Sequence, residues 1–257
     1  MQNADLTGTI LVVTLPGQGA VGELHTHYFN PNAKQGKIRD ALSHWFSIWG
    51  IPLTHSVNHP NAIEKAVHEV PWCQEVPEHL HGPQTVRYYA DNAQAVTDAV
   101  TRLRPRIIFV LSAYLFEAMA SEAVAPAIQS VIGRAKMPAH RITQMRLKAL
   151  HQEFENAHII VIPTPSKNTT DEYVASLSAP IRQCFTQVGF NLNETSDSLL
   201  SAARALIVVD EARTIEKLQN QLRINRQRAQ ALFEELVEDG MVSAPDAKGV
   251  RYALPRK

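Results

Sequence analysis

Three short runs of β-branched and other apolar residues stand out along the chain: TILVVTL (9–15), RIIFVLS (106–112) and HIIVIPT (158–164). None alternates apolar with polar positions, the pattern expected of parallel strands whose two faces are both covered by helices. A fourth strand is expected at IPLTHSV (51–57). It follows a helix over 37–50, where Ile38, Leu42, Trp45, Phe46 and Trp49 recur at helical spacing. Further helices are expected at 86–103 and 114–124. Strands alternating with helices predict a three-layer α/β domain with a parallel sheet over residues 1–190. The polar stretch GFNLNETSD (189–197) then marks a linker, placed at 191–197, that ends in helix-capping residues. Beyond it the pattern predicts helices at 198–212, 214–223 and 225–240, and two strands within 241–254 around a turn at Asp246 to Gly249. Three helices and a hairpin predict a winged helix-turn-helix over residues 198–257.

Composition narrows the function classes only a little. Lys+Arg and Asp+Glu are both 25, so any contact with a polyanion must come from a local patch. With 45% hydrophobic and 19% charged residues the chain has the composition of a soluble folded protein. It has no apolar run near the ~18–20 residues needed to span a bilayer, and MQNADLTG lacks the layout of a signal peptide. A cytoplasmic protein without membrane partners is expected. Cys73 and Cys184 are too few for a cysteine cluster and are expected to be ordinary buried thiols. His25 with His27, His55 with His59 and His79 with His81 stand at metal-ligand spacings. Glu23 is the one acidic residue at a fixed spacing from them, so no metal and no other cofactor is expected.

The glycines at 17, 19 and 22 have the literal spacing G-x-G-x-x-G after an apolar strand. A dinucleotide site needs a helix starting within the glycines and an acidic residue after the second strand. Here Asn30-Pro31 interrupts any such helix, and the expected second strand ends in Val57-Asn58-His59. A phosphate-binding P-loop fails as well, because Glu23 stands where lysine is required.

The C-terminal module carries the stronger chemistry. In a helix-turn-helix the second helix enters the major groove, its first residues meet base edges, and flanking groups hold phosphates. That helix begins INRQRAQ, and Asn225, Arg226, Gln227, Arg228 and Gln230 are all groove-competent types. Ala229, Leu232, Phe233 and Leu236 form its inner face. Arg213, Lys217, Arg223, Arg226 and Arg228 cluster before and at its start, whereas Glu234, Glu235, Glu238 and Asp239 close it. The pattern alone fits a DNA-reading helix or an amphipathic helix with a solvated basic end. Residues 203–254 resemble the gamma domain of the bacterial FtsK DNA translocase, a winged helix that reads short oriented G-rich sequences. The shared features are IEKLQNQLRI, NRQRAQALFEELVEDGMVS and a closing strand before a proline. The resemblance implies that Asn225, Arg226 and Arg228 face bases or phosphates, and that Lys248 and Arg251 serve the wing.

The first 190 residues resemble the uracil-DNA glycosylase superfamily, through TLPGQG (14–19), HYFNP (27–31), HSVNHP (55–60), RLRPRIIFVLSAYLFEAM (102–119) and VIPTPSKN (161–168). The resemblance implies a parallel sheet and a pocket built from the turns after the strands. It brings Leu15, Gly17, Gln18, Phe29, Asn58, Ile162, Thr164 and Ser166 forward as pocket residues. Asn58 would read the base or simply form a turn; Phe29 or Tyr28 would stack on the base or belong to the core. Thr164 and Ser166 would offer hydroxyls and backbone N–H groups to a phosphate or form a structural turn. Cleavage of a glycosidic bond needs a group that places water and a donor that stabilises the leaving base. Leu15 and Ile162 occupy the two positions where the family carries polar groups. The expectation is a DNA-binding protein, nucleoid-associated in the cytoplasm, whose α/β domain is non-catalytic and binds DNA, a protein partner or a nucleotide-like ligand. The alternatives are an active DNA glycosylase using Gln18 or Glu23 to place water, and an adaptor that recruits a partner to DNA.

Overall fold

A computed structural model of the chain describes residues 9–16, 28–29, 37–51, 53, 61–77, 79–166, 168–190, 192, 203, 206–207, 213–222, 224–238 and 242–252. Among them six strands form one sheet: β1 (Ile10–Thr14), β2 (Val67–Pro71), β3 (Ile107–Val110), β4 (His140–Arg141), β5 (Leu150–Glu153) and β6 (His158–Val161). Their order is β2-β1-β3-β6-β5-β4. The first four in that order run parallel, whereas β5 is antiparallel to β6 and β4 to β5. The wholly parallel sheet expected from the sequence is therefore corrected to a mixed one. The apolar runs that announce parallel strands occur only where helices cover both faces. The outer pair carries His140, Arg141, His151, Gln152 and Glu153, and gives no such signal.

Alternate residues of the central strands enter two cores. Ile10, Val12, Ile107, Phe109 and Ile160 pack under α1 (Lys37–Ile48), α7 (Asp171–Ser176) and α8 (Ser178–Gln187). Leu11, Val13, Ile108, Val110, Ile159 and Val161 face α3 (Pro83–Asp91), α4 (Gln94–Leu103), α5 (Ala113–Met119) and α6 (Ala125–Ile132). Within the first core Trp49 stacks on Phe109 at 5.8 Å and 8°, and its indole N–H donates to the Val174 carbonyl at 2.9 Å.

Among the described residues the strand that follows β1 in sequence is β2, and of the segment 51–57 only Ile51 and Leu53 are described. Ile51 and Leu53 are buried and outside any strand, and the expected strand otherwise falls on residues outside the described ones. After α1, Gly50 adopts φ +64° and the Ile51 N–H returns to the Phe46 carbonyl at 2.8 Å. This helix-terminating turn drives Ile51 into the core, so its apolar character reports burial and not strand pairing. A Cβ on Gly50 would also stand 2.7 Å from Arg182 Nη1. β2 follows α2 (Ala62–Ala66), whose start is fixed by a reciprocal capping box: Asn61 Oδ1 accepts from Glu64 N at 2.9 Å and Glu64 Oε2 from Asn61 N at 2.7 Å. The helix expected over 86–103 is divided into α3 and α4, with Asn92 and Ala93 at the break and the Asn92 amide donating to the Tyr88 carbonyl.

In the C-terminal part, a third core joins Ala203, Leu206 and Ile207 to the helices Ile215–Leu222 and Arg226–Glu238 and to Val242. The two regular strands expected in 241–254 are absent among the described residues, which form a turn with short arms. Asp246 Oδ1 accepts from the backbone N–H of Lys248 at 2.8 Å and of Val250 at 2.9 Å, and Gly249 takes φ +75°. Ser243 N bonds Tyr252 O at 2.8 Å, but the next donor, Arg251 N, is given to the Arg213 carbonyl at 3.0 Å. That bond takes a donor out of the pairing between the arms. No helix among the described residues is long and apolar enough to cross a membrane.

Candidate nucleic-acid interface

The helices Ile215–Leu222 and Arg226–Glu238 are joined by three residues, Arg223 to Asn225, the turn length of a helix-turn-helix pair. Thr214 opens the first helix, its hydroxyl accepting from the Lys217 N–H at 3.3 Å. Asn225 caps the second, its Oδ1 accepting from the Arg228 N–H at 2.8 Å. Ala229, Leu232, Phe233 and Leu236 are all 0% exposed and turn one face of that helix into the core. At 100° per residue, Gln227 points about 170° from the centre of this buried face. Arg226 and Gln230 lie on one flank, at about 70° and 110°, and Arg228 lies on the other at about 90°.

Exposure follows that geometry. Lys217, Asn225, Arg226, Gln227, Gln230 and Lys248 are exposed, and Arg228 is half-buried. Gln230 donates to Glu234 Oε1 at 2.9 Å, which holds its amide on the outer face. Arg213 and Arg251 are placed differently. The Arg251 guanidinium lies 4.6 Å from the Phe233 ring centroid and that of Arg213 5.0 Å from the Tyr252 centroid. These two arginines lock the closing arm onto the helices. The carboxyl of Asp246 is held below its usual range by the N–H groups of Val250 and Lys248, which keeps the turn bearing Lys248 charged and closed. Arg223 lies outside the described residues.

In the α/β part, the chain leaves β1 on both sides, to β2 and to β3, so the topological switch point lies between the carboxyl ends of β1 and β3. Leu15 follows β1 there and is half-buried, while Ile162 follows β6 and is 1% exposed. The Thr164 hydroxyl donates to the Leu111 carbonyl at 2.6 Å, fastening the turn after β6 to the exit of β3. Ser166 closes a local turn: its N–H donates to Thr169 Oγ1 at 2.8 Å, and its Oγ accepts from Asn168 N at 3.3 Å. Phe29 is 3% exposed and packs between Tyr28 and Phe46 in the core. Gly17, Gln18, Glu23 and Asn58 lie outside the described residues.

Beside that edge lies a group that sequence reasoning missed. Thr14 at the end of β1 is fully buried, and its hydroxyl has no hydrogen-bond partner among the described residues. Arg39 and Glu69 are 5% and 9% exposed, and the Arg39 guanidinium lies 5.1 Å from the Tyr28 ring centroid. Burial, then the Glu69 carboxylate, pushes the Tyr28 hydroxyl well above its ordinary range. The available signal was a carboxylate at an inward position of a strand, since Glu69 shares the buried register with Val67. A cleft of about 640 Å³ opens at the opposite edge of the sheet, lined by Arg104, Arg106, Lys136, Glu153, His158 and Gln187. It lies at the amino ends of β3 and β6, away from the switch point, and Lys136 and Glu153 pair across it at 2.7 Å.

Of the histidine pairs at metal-ligand spacings, His79 and His81 are exposed, and the other two pairs lie outside the described residues. Cys73 is half-buried, with its thiol donating to the Glu75 carbonyl at 3.3 Å. A different set does converge. His140 faces His151 across β4 and β5, His158 follows on β6, and Cys184 of α8 packs beside His151 at 3.6 Å. Burial, then His158 and His140, brings His151 down to about 4, and burial raises the Cys184 thiol to about 12.

The paired helices combine an apolar inner face with an exposed polar start. Residues 194–255 match the family described as the FtsK gamma domain. The DNA translocase FtsK of Campylobacter jejuni is 37% identical over 71 residues, covering 26% of this chain and 8% of that protein. DNA translocase FtsK 1 of Neisseria meningitidis is 32% identical over 112 residues, covering 44% of this chain and 14% of that protein. The chain thus spans no more than 14% of the length of these relatives.

Proposed function

We propose that this protein binds duplex DNA through a C-terminal module, residues 198–257, joined by the 191–197 linker to an α/β domain. The observation that carries the reading is the start of the Arg226–Glu238 helix. Arg226, Gln227 and Gln230 stand exposed on a helix whose other side is wholly apolar, inside a segment that matches the FtsK gamma domain. Gln227 and Gln230 offer amides, and Arg226 a guanidinium, for base edges in the major groove. Arg228 on the far flank, Asn225, Lys217, Arg223 and Lys248 serve the phosphates. Arg213 and Arg251 hold the wing-like arm in place. Bound in this way the protein belongs with nucleoid DNA.

For residues 1–190 the reading is a domain of uracil-DNA glycosylase type that binds DNA, a protein partner or a nucleotide-like ligand and does not cleave. The parallel order β2-β1-β3-β6, with Thr164 fastening the turn after β6 to the exit of β3, supports the comparison. The apolar Leu15 and Ile162 support the loss of chemistry, since neither can place water or donate to a leaving base. Gel-shift titration and oligonucleotide selection with the full chain test the first part. Binding that steepens in salt dependence with each added basic contact supports it. Equal failure to bind all duplexes overturns it. Incubation with uracil-, hypoxanthine- and alkyl-base duplexes tests the second part: intact strands are expected. Abasic sites that disappear with Gln18→Ala or Glu23→Ala would establish an active glycosylase instead.

A further inference from the structure

The outer half of the sheet brings three ligand-type atoms to one point. His151 Nε2 lies 3.1 Å from His158 Nδ1 and 3.6 Å from Cys184 Sγ, and the three atoms all fall within 4.8 Å of one another. Strand register explains the meeting. His140 pairs directly with His151, and Glu153 with His158, so the three histidines follow one another across one face of β4, β5 and β6. Cys184 comes from α8, which covers that same face. His158 is 7% exposed, Cys184 4%, and His151 is half-buried.

Hydrogen bonding alone accounts for this set incompletely. His151 Nε2 carries either one proton or one lone pair, directed along a single line in the ring plane. It can therefore satisfy His158 or Cys184 with good geometry, and not both. A cation at the common point satisfies all three. Tetrahedral zinc, with bonds of about 2.05 Å to nitrogen and 2.3 Å to sulfur, puts ligand nitrogens about 3.3 Å apart and nitrogen and sulfur about 3.6 Å apart. Two observed separations, 3.1 and 3.6 Å, match within a few tenths of an ångström, and the third, between His158 and Cys184, is within 4.8 Å.

We propose that His151, His158 and Cys184 form a zinc site that fastens the antiparallel edge of the sheet to α8. Imidazole and thiolate together select Zn2+ over Mg2+ or Ca2+, which take oxygen ligands. On binding, the Cys184 thiol releases its proton to solvent and the sulfur bonds the metal as thiolate, while both imidazoles bind neutral through the nitrogens named. His140, exposed and with its ring centroid 5.2 Å from that of His151, stands beside the set but outside the three-atom cluster. The site does not depend on the DNA-binding reading.

The test uses the full chain. After gel filtration with Zn2+ and measurement by elemental mass spectrometry, one zinc per chain is expected. Co2+ in place of zinc should give visible bands of a tetrahedral centre and a near-ultraviolet sulfur-to-cobalt charge-transfer band. Cys184→Ser should abolish the charge-transfer band, and His158→Asn should weaken Co2+ binding at least tenfold, with the far-ultraviolet circular dichroism of each variant checking the fold. A variant that misfolds leaves the unmutated chain to decide: its melting temperature should rise with added Zn2+ and fall back with a chelator. No retained metal at micromolar concentrations, or a Co2+ spectrum without a thiolate band, would mean a hydrogen-bonded Cys–His pair only and overturns the proposal.

Discussion

Arg226 and Arg228 should fail in different ways when each is replaced by alanine. Both begin the helix that faces outward from the third core, yet residues two apart project about 200° from one another, so one groove cannot receive both equally. Arg226 is exposed and lies on the flank of Gln230, whose amide is steadied by Glu234. Arg228 is half-buried on the opposite flank, where the sugar-phosphate backbone would pass. Loss of a bidentate base contact costs about 1–3 kcal/mol, which is about five- to 150-fold in Kd, and it falls on the preferred sequence alone. Loss of one phosphate contact falls on every sequence and flattens the plot of log K against log salt by about 0.9. Over a fourfold rise in salt that contact accounts for about 3.5-fold of the lost affinity. Fluorescence anisotropy with a selected duplex and a scrambled one, each at several salt concentrations, separates the two. Arg226→Ala should narrow the ratio between duplexes and leave the slope nearly unchanged; Arg228→Ala should do the reverse. An exchanged pattern would refute the placement of the helix in the groove.

Asn225→Ala removes the hydrogen bond to the Arg228 N–H and should cost about 1 kcal/mol of stability, read as a lower urea midpoint for the C-terminal transition. Arg251→Ala should destabilise that part by about 0.5–2 kcal/mol, because the guanidinium over Phe233 is removed, and should leave the salt slope of DNA binding unchanged. Trp49→Ala removes the ring stacked on Phe109 and the bond to Val174, and should cost about 3–5 kcal/mol in denaturant unfolding.

What could be read in the sequence depended on whether burial left a periodic trace. β1, β3 and β6 are covered on both faces, so each is an unbroken apolar run and stands out. The helix Arg226–Glu238 shows its inner face at Ala229, Leu232, Phe233 and Leu236 for the same reason. β2 was missed because Val67–Pro71 contains His68 and Glu69, while the apolar Ile51 and Leu53, both buried in the core, drew the expectation to an earlier segment. β4 and β5 are polar and short, and the histidines they bring together are separated by 7 to 18 positions along the chain, so only strand register unites them. Arg39 and Glu69 were hidden because each stands beside other polar residues, Asp40 and His68, and the sequence does not show which of them faces inward.

The two edges of the sheet are consequently suited to different tasks. At the carboxyl ends, the side chains of Leu15 and Ile162 are apolar and the Thr164 hydroxyl donates to the Leu111 carbonyl, which leaves the buried Thr14 hydroxyl as the unpartnered polar group among the described residues there. The charges that do lie close by, Arg39 and Glu69, are buried and act on the Tyr28 hydroxyl. Removing one member of such a buried charged group is expensive, because its partners cannot return to water. They therefore set the conformation of the elements that flank the Gly17 to Gly22 segment more readily than they exchange protons with a substrate. The histidine row lies at the outer end of the same sheet, where β4 and β5 have charged side chains and little apolar burial to hold them. A metal bond to α8 would supply there the cohesion that the central strands draw from their two cores.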